Sequence, residues 1–192
     1  TNFELLENLF DLSRHDLQQR NQRMPIKWVF FFYLLQSVVL PQTTIHYTDM
    51  TPEEKILAAA KEGNIFGLRE AIQSNVNVNL QSKDYGMTAL HYVANGGYQP
   101  CALELIENGN ANMDIKDNDG QTALMLASTR QASVEVAKLL IAKGADLDIT
   151  DNNGMTALMW ATTHRVEKVA RALLQNKAKA ELIAADGQNA LQ

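Results

Sequence analysis

The sequence predicts an all-α fold built as a helical repeat solenoid, and three observations carry that expectation. The strings "DYGMTAL" at 84, "NDGQTAL" at 118 and "NNGMTAL" at 152 place glycines at 86, 120 and 154, 34 residues apart each time, and "ADGQNAL" puts Gly187 33 residues further on. Apolar residues recur in register at Ile72, Leu105-Ile106, Leu139-Leu140 and Leu173-Leu174. Hydrophobic residues make up 46% of the chain and charged residues 20%, the balance of a folded protein rather than a disordered tail. A fixed period near 33 marks a stacked array in which each unit buries its face only against its neighbours. Four units and the start of a fifth are expected over residues 51–192, preceded by an N-terminal helical segment over 1–50.

In chain order, "NFELLENLFDL" places Leu5, Leu6, Leu9 and Leu12 at helical spacing. "SRHD" from residue 13 is a capping-box pattern that opens a polar helix toward Arg23, and Pro25 ends it. "WVFFFYLLQSVVL" over 28–40 has Gln36 and Ser37 inside and falls short of the ~20 apolar residues that span a bilayer, so no membrane span is expected. A buried helix covering the open end of the stack suits its aromatic content. The order Leu5-Leu6, Leu9-Phe10, Leu12, Asp16-Leu17 and Trp28 also resembles an F-box, the short three-helix motif that docks onto the Skp1 adaptor of ubiquitin ligases. That resemblance implies Skp1 as a partner. It departs from the motif in lacking a proline near the start and in a Phe10-to-Leu12 spacing one residue short.

The repeats open at "TPEE", where Thr51 as N-cap, Pro52 at the first helical position and Glu54 reaching back predict a helix over about 52–62. In "DNDGQTALMLA", Asn118, Asp119 and Gly120 make a turn that tolerates positive φ, and Thr122 is a natural N-cap. Small Ala123 and Ala127 allow close helix packing while Leu124 points into the stack. The second helix of that unit carries Val136, Leu139 and Leu140, and Gly144 stands where a left-handed C-terminal cap is wanted. Asn110 takes that place one unit earlier.

With these features the chain resembles the ankyrin-repeat family. The likeness rests on the "G-x-T-A-L" turns, on His91 completing "TALH", on "GADLDI" at 144 and on "LAAAKEGN" at 57. It covers roughly residues 51–192 and implies paired antiparallel helices with hairpin-like loops at right angles to them. The family's proline after threonine is replaced by Ala89, Ala123 and Ala157, and its histidine by Met125 and Met159 in two units. The resemblance implies that His91 braces its turn. It also puts the aligned residues Tyr92, Leu126 and Trp160, with Ala58 at the matching place in the first unit, on the concave side of the first helices. Asn95, Thr129, Arg130, Thr163 and His164 should border them, and an apolar strip with a polar rim suits partner contact.

Charge narrows the partner. The net charge is -5, which argues against a nucleic-acid surface. The loops carry Asp84, Asp114, Asp117, Asp119, Asp146, Asp148 and Asp151, and the second helices Lys138, Lys143, Lys168 and Arg171. A partner that meets Asp84, Asp117, Asp119 and Asp151 with basic residues is therefore expected. The single cysteine, Cys101, cannot form an internal disulfide and points to a reducing, cytoplasmic compartment. The chain is expected to continue beyond Gln192.

Chemistry is not legible in the sequence. In an EF-hand register ending on Gly120 or Gly154, the ligand positions fall on Ile115 and Leu126 or on Ile149 and Trp160, so the acids read as turn formers with free side chains. Cys101 lies within a helix of a unit and reads as a buried structural residue, and His15, His46, His91 and His164 are scattered. No catalytic residue, cofactor, metal site or small-molecule substrate is expected. The reading is a scaffold for a partner protein or peptide. The alternatives are a ubiquitin-ligase substrate adaptor and the recruiting part of a larger enzyme whose catalytic domain lies outside residues 1–192.

Overall fold

The structure, a computed structural model, describes residues 50–182 together with Ala184, Ala185 and Gly187. The expected N-terminal helices, the F-box-like pattern and the aromatic segment over 28–40 lie outside the described residues.

The first helix among the described residues, α1 (Pro52–Glu62), follows the bounds its sequence predicts. Thr51 Oγ1 accepts from Glu54 N–H, and Glu54 returns the bond by accepting from Thr51 N–H at 2.9 Å, so two of the unpaired amides of the first turn are satisfied. Seven more helices follow: α2 (Ile65–Gln73), α3 (Ala89–Gly96), α4 (Gln99–Glu107), α5 (Ala123–Ser128), α6 (Val134–Ala142), α7 (Ala157–Thr163) and α8 (Glu167–Gln175). A short 3-10 turn, Gln131–Ser133, precedes α6. No strand occurs among the described residues.

The helices form two layers. α1, α3, α5 and α7 pack side by side as one layer, α2, α4, α6 and α8 as the other, and each helix of a pair packs on its mate. The core runs continuously between the layers through Ile56, Leu68, Leu90, Leu105, Leu124, Leu140, Leu158 and Leu173. Alanines carry the closest approaches: Ala59, Ala89, Ala94, Ala123, Ala127 and Ala161 are wholly or almost wholly buried. The expected caps are present, with Gly144 at φ 86 and Asn110 at φ 52 in the left-handed region. Outer helices are also joined at their surface by Arg69–Glu104 at 2.9 Å and Lys143–Glu107 at 2.6 Å. Arg69, then Asn108, hydrogen-bonds the Glu104 carboxylate and holds its pKa below the usual value.

The loops between pairs project as fingers, and each finger holds the next. Asn118 donates through its backbone N–H to Tyr85 O at 3.0 Å and through its side chain to Asp84 O at 3.1 Å. Asn152 repeats the clamp on Asp119 O at 3.1 Å and Asn118 O at 3.0 Å, and Ala185 N–H continues the series onto Asn153 O. Here the glycines are required. A Cβ on Gly120 would lie 2.7 Å from Asn152 N, and one on Gly86 2.9 Å from Asn118 N. The turn glycine leaves room for the next unit as well as adopting positive φ.

Candidate functional site: the inner helix face and finger tips

Each unit's inner helix begins at a threonine that closes the finger. Thr122 Oγ1 accepts from Met125 N–H at 3.4 Å and Thr156 Oγ1 from Met159 N–H at 3.3 Å. In the second unit, His91 reaches back instead: Thr88 N–H donates to its Nδ1 at 3.1 Å, which leaves Nε2 as the protonated nitrogen facing Gln121 O at 3.0 Å. His91 therefore braces its own turn, as the resemblance implies, and also ties it to the next unit. Burial lowers its pKa, against the opposing pull of the Gln121 carbonyl and Asp117.

The three aligned residues lie on adjacent inner helices, but they are not one open apolar strip. Tyr92 and Trp160 are half-buried, whereas Leu126 is only 9% exposed. Both aromatics also brace a finger. Tyr92 Oη donates to Ser82 Oγ at 3.2 Å, and Trp160 Nε1 donates to Asp151 Oδ2 at 3.0 Å. Ser82 and Asp151 open their respective turns, with backbone N–H groups bonded to Met87 O and Met155 O. The Trp160 ring also leans on the His164 imidazole, centroids 5.3 Å apart, and Lys61 Nζ sits 4.8 Å above the Tyr92 ring. Ala58 is half-buried at the matching place in α1.

The rim residues divide. Thr163, His164 and Arg130 are exposed, while Asn95 and Thr129 are half-buried, Thr129 Oγ1 donating back to Leu126 O. Among the four acids expected to meet a partner, Asp84 and Asp119 are exposed. Asp117 and Asp151 are not: they are 7% and 5% exposed, and their side chains are committed to the turn rather than free. Asp117 Oδ1 accepts from Asp119 and Gln121 N–H groups, and Asp151 Oδ1 from those of Asn153 and Met155. Two of the four carboxylates are thus turned into their own loops and not open to a partner. Cys101 is 2% exposed, its thiol donates to Gly63 O at 3.3 Å, and burial, then Glu104, raises its pKa. No cluster of His, Cys, Asp and Glu able to hold a metal ion occurs among the described residues.

Several exposed groups on these surfaces escape a motif-based reading. Tyr85 at a finger tip is 63% exposed and Phe66 on α2 is 77% exposed. Lys61 shares the 34-residue register of Asn95, and Arg165 that of Gly63, Gly97 and Gln131, so reading whole columns of the repeat finds both.

Two layers of paired helices with clamped fingers define a helical repeat solenoid. The profile described as ankyrin repeats in three copies matches residues 56–151 and 128–192, and the chain belongs to the ankyrin-repeat family. A 72-residue stretch is 40% identical to a transient receptor potential cation channel subfamily A member 1 homolog of Caenorhabditis elegans. That stretch is 36% of this chain and 6% of the relative, so the chain corresponds to a small part of that protein's length.

Proposed function

We propose that the chain is a recognition scaffold that holds a partner protein or peptide across its inner helices and finger tips. Ankyrin repeats support a protein-interaction role, and such units are generally non-catalytic. The observation that carries the reading is the row of Tyr92 and Trp160 on helices whose fingers are already clamped to one another. Aromatic side chains half-open on a rigid frame bring contact area with little ordering cost on binding. Asp84 and Asp119 remain available for basic residues of a partner at the tips. The likeness to the channel homolog is confined to a short stretch and brings no activity to this chain. The adaptor and larger-enzyme readings draw on sequence outside the described residues.

The test is affinity capture from cytosol with mass spectrometry, comparing the wild-type chain with Thr163→Arg. Thr163 is exposed on the inner rim, so the added bulk blocks the face without disturbing the core. A specific captured protein should be lost with the variant while its thermal melt stays in place. Capture that survives Thr163→Arg would place the contact surface elsewhere.

A further inference from the structure

We infer that the inner face has a second, cationic band at its helix ends, and that it takes an acidic segment of the partner against Arg130 and Arg165; this rests on the recognition reading above. The first observation is a misfit in a column of the repeat. Gly63 and Gly97 close α1 and α3 at φ 67 and 74, the same column holds Gln131 at the start of the 3-10 turn after α5, and after α7 it holds Arg165, at φ 56. Glycine adopts that conformation freely, whereas a side chain there is strained. An arginine held in this conformation where two other units carry glycine is the kind of outlier that accompanies a binding role.

The second observation is its neighbourhood. Gln131 Nε2 donates to Arg165 O at 3.1 Å, which ties the backbone of Arg165 to the residue immediately after Arg130. α5 and α7, which lead into these positions, pack on each other. Arg130, His164 and Arg165 are all exposed at the ends of these adjacent helices, and the His164 ring lies against that of Trp160. Four other cations meet carboxylates, Arg69 with Glu104, Lys138 with Glu135, Lys143 with Glu107 and Lys179 with Asp148, while Lys116 donates to the Thr150 carbonyl and Lys83, Lys168, Arg171 and Lys177 meet no carboxylate among the described residues. Neither Arg130 nor Arg165 pairs with a carboxylate among the described residues.

Exposed arginines from adjacent units, without a carboxylate partner on a chain of net charge -5, present planar forks suited to carboxylates. A protein segment fits better than nucleic acid or an anionic membrane. The exposed Asp84 and Asp119 at the finger tips repel a continuous phosphate surface, but not a short segment whose acids lie at one end. With acids at the fingers, aromatics between and cations at the helix ends, the face also sets the direction in which such a segment lies.

The experiment is selection of short random peptides displayed on phage against the full chain, its Arg165→Gly variant and its Trp160→Ala variant. The wild type should enrich peptides rich in Asp and Glu. Arg165→Gly should lose that enrichment and bind a synthetic copy of the selected peptide about ten-fold more weakly, as befits a lost charge-assisted contact. Its melting temperature should equal or exceed that of the wild type, because glycine relieves the strained φ, so weaker binding cannot be ascribed to unfolding. Equal acidic enrichment on Arg165→Gly overturns the assignment. Peptides that depend on Trp160 but show no acidic preference overturn it too while leaving the recognition reading intact. Failure to select any peptide counts against both.

Discussion

Met125 and Met159 occupy, almost fully buried, the place that His91 takes in the second unit, and this natural exchange makes His91 a clean probe. Its pKa is lowered by burial, so the unfolded chain takes up a proton first as the pH falls through the ordinary value of 6.5. Stability should therefore decrease with falling pH below that value and level off once the folded histidine also protonates. His91→Met should remove this part of the pH dependence, measured as the difference in urea midpoints above and below the imidazole range. The Gln121 carbonyl does not lose all its partners, since Asp117 N–H also donates to it. Trp160 is a second residue with two duties. Trp160→Phe keeps the ring but frees Asp151 Oδ2, and should lower stability by about 1 kcal/mol. Asp151→Ala removes the acceptor of three hydrogen bonds and should cost about 3 kcal/mol in a denaturant titration. A Trp160 that served only as a partner anchor would leave stability unchanged in the first variant, and the structure argues against that.

At the scale of elements, the turns separate two effects of glycine. Gly144 at φ 86 has open space around an added Cβ, whereas Gly120 at φ 78 has Asn152 N at 2.7 Å. Gly144→Ala should cost about 1 kcal/mol from the backbone alone. Gly120→Ala should cost about 1–3 kcal/mol more, because the next finger must move. Equal losses in thermal melts would show that the fingers are looser than their hydrogen bonds suggest. The elements themselves were readable from letters: Thr51, Pro52 and Glu54 fix the start of α1, and Gly144 and Asn110 mark helix ends through backbone preferences that need no tertiary context. The inner face was readable only in position. Register put Tyr92, Leu126 and Trp160 on one side, but exposure depends on what packs beside each, and Leu126 lies buried. Asp117 and Asp151 misled for a related reason. A turn former and a free surface acid are the same letter, and only the geometry shows the carboxylate accepting the turn's own amides.

Over the repeat array, stability is a sum of unit and neighbour terms, and part of the neighbour term in the fingers runs through two asparagines. Replacing both Asn118 and Asn152 by alanine should speed hydrogen exchange at finger amides while leaving those of Leu105 and Leu140 protected. Uniform acceleration would instead mean that the array opens only as a whole. The asparagine clamp has a direction: Asn118 and Asn152 give their donors to the finger before, although Gln81 Nε2 and Lys116 Nζ reach the other way, to the carbonyls of Lys116 and Thr150. Excising residues 118–151 joins Asp117 to Asn152, restoring the same "DNNG" junction, and delivers Asn152 to the carbonyls of Asp84 and Tyr85 that Asn118 now occupies. Such a shortened chain should still melt cooperatively, at a lower temperature, with its helical circular dichroism reduced by one pair. Because every finger is a plug on one side and a socket on the other, the array can gain or lose a whole link by duplication or deletion without redesigning a joint, and its reach can change in steps while its chemistry stays the same.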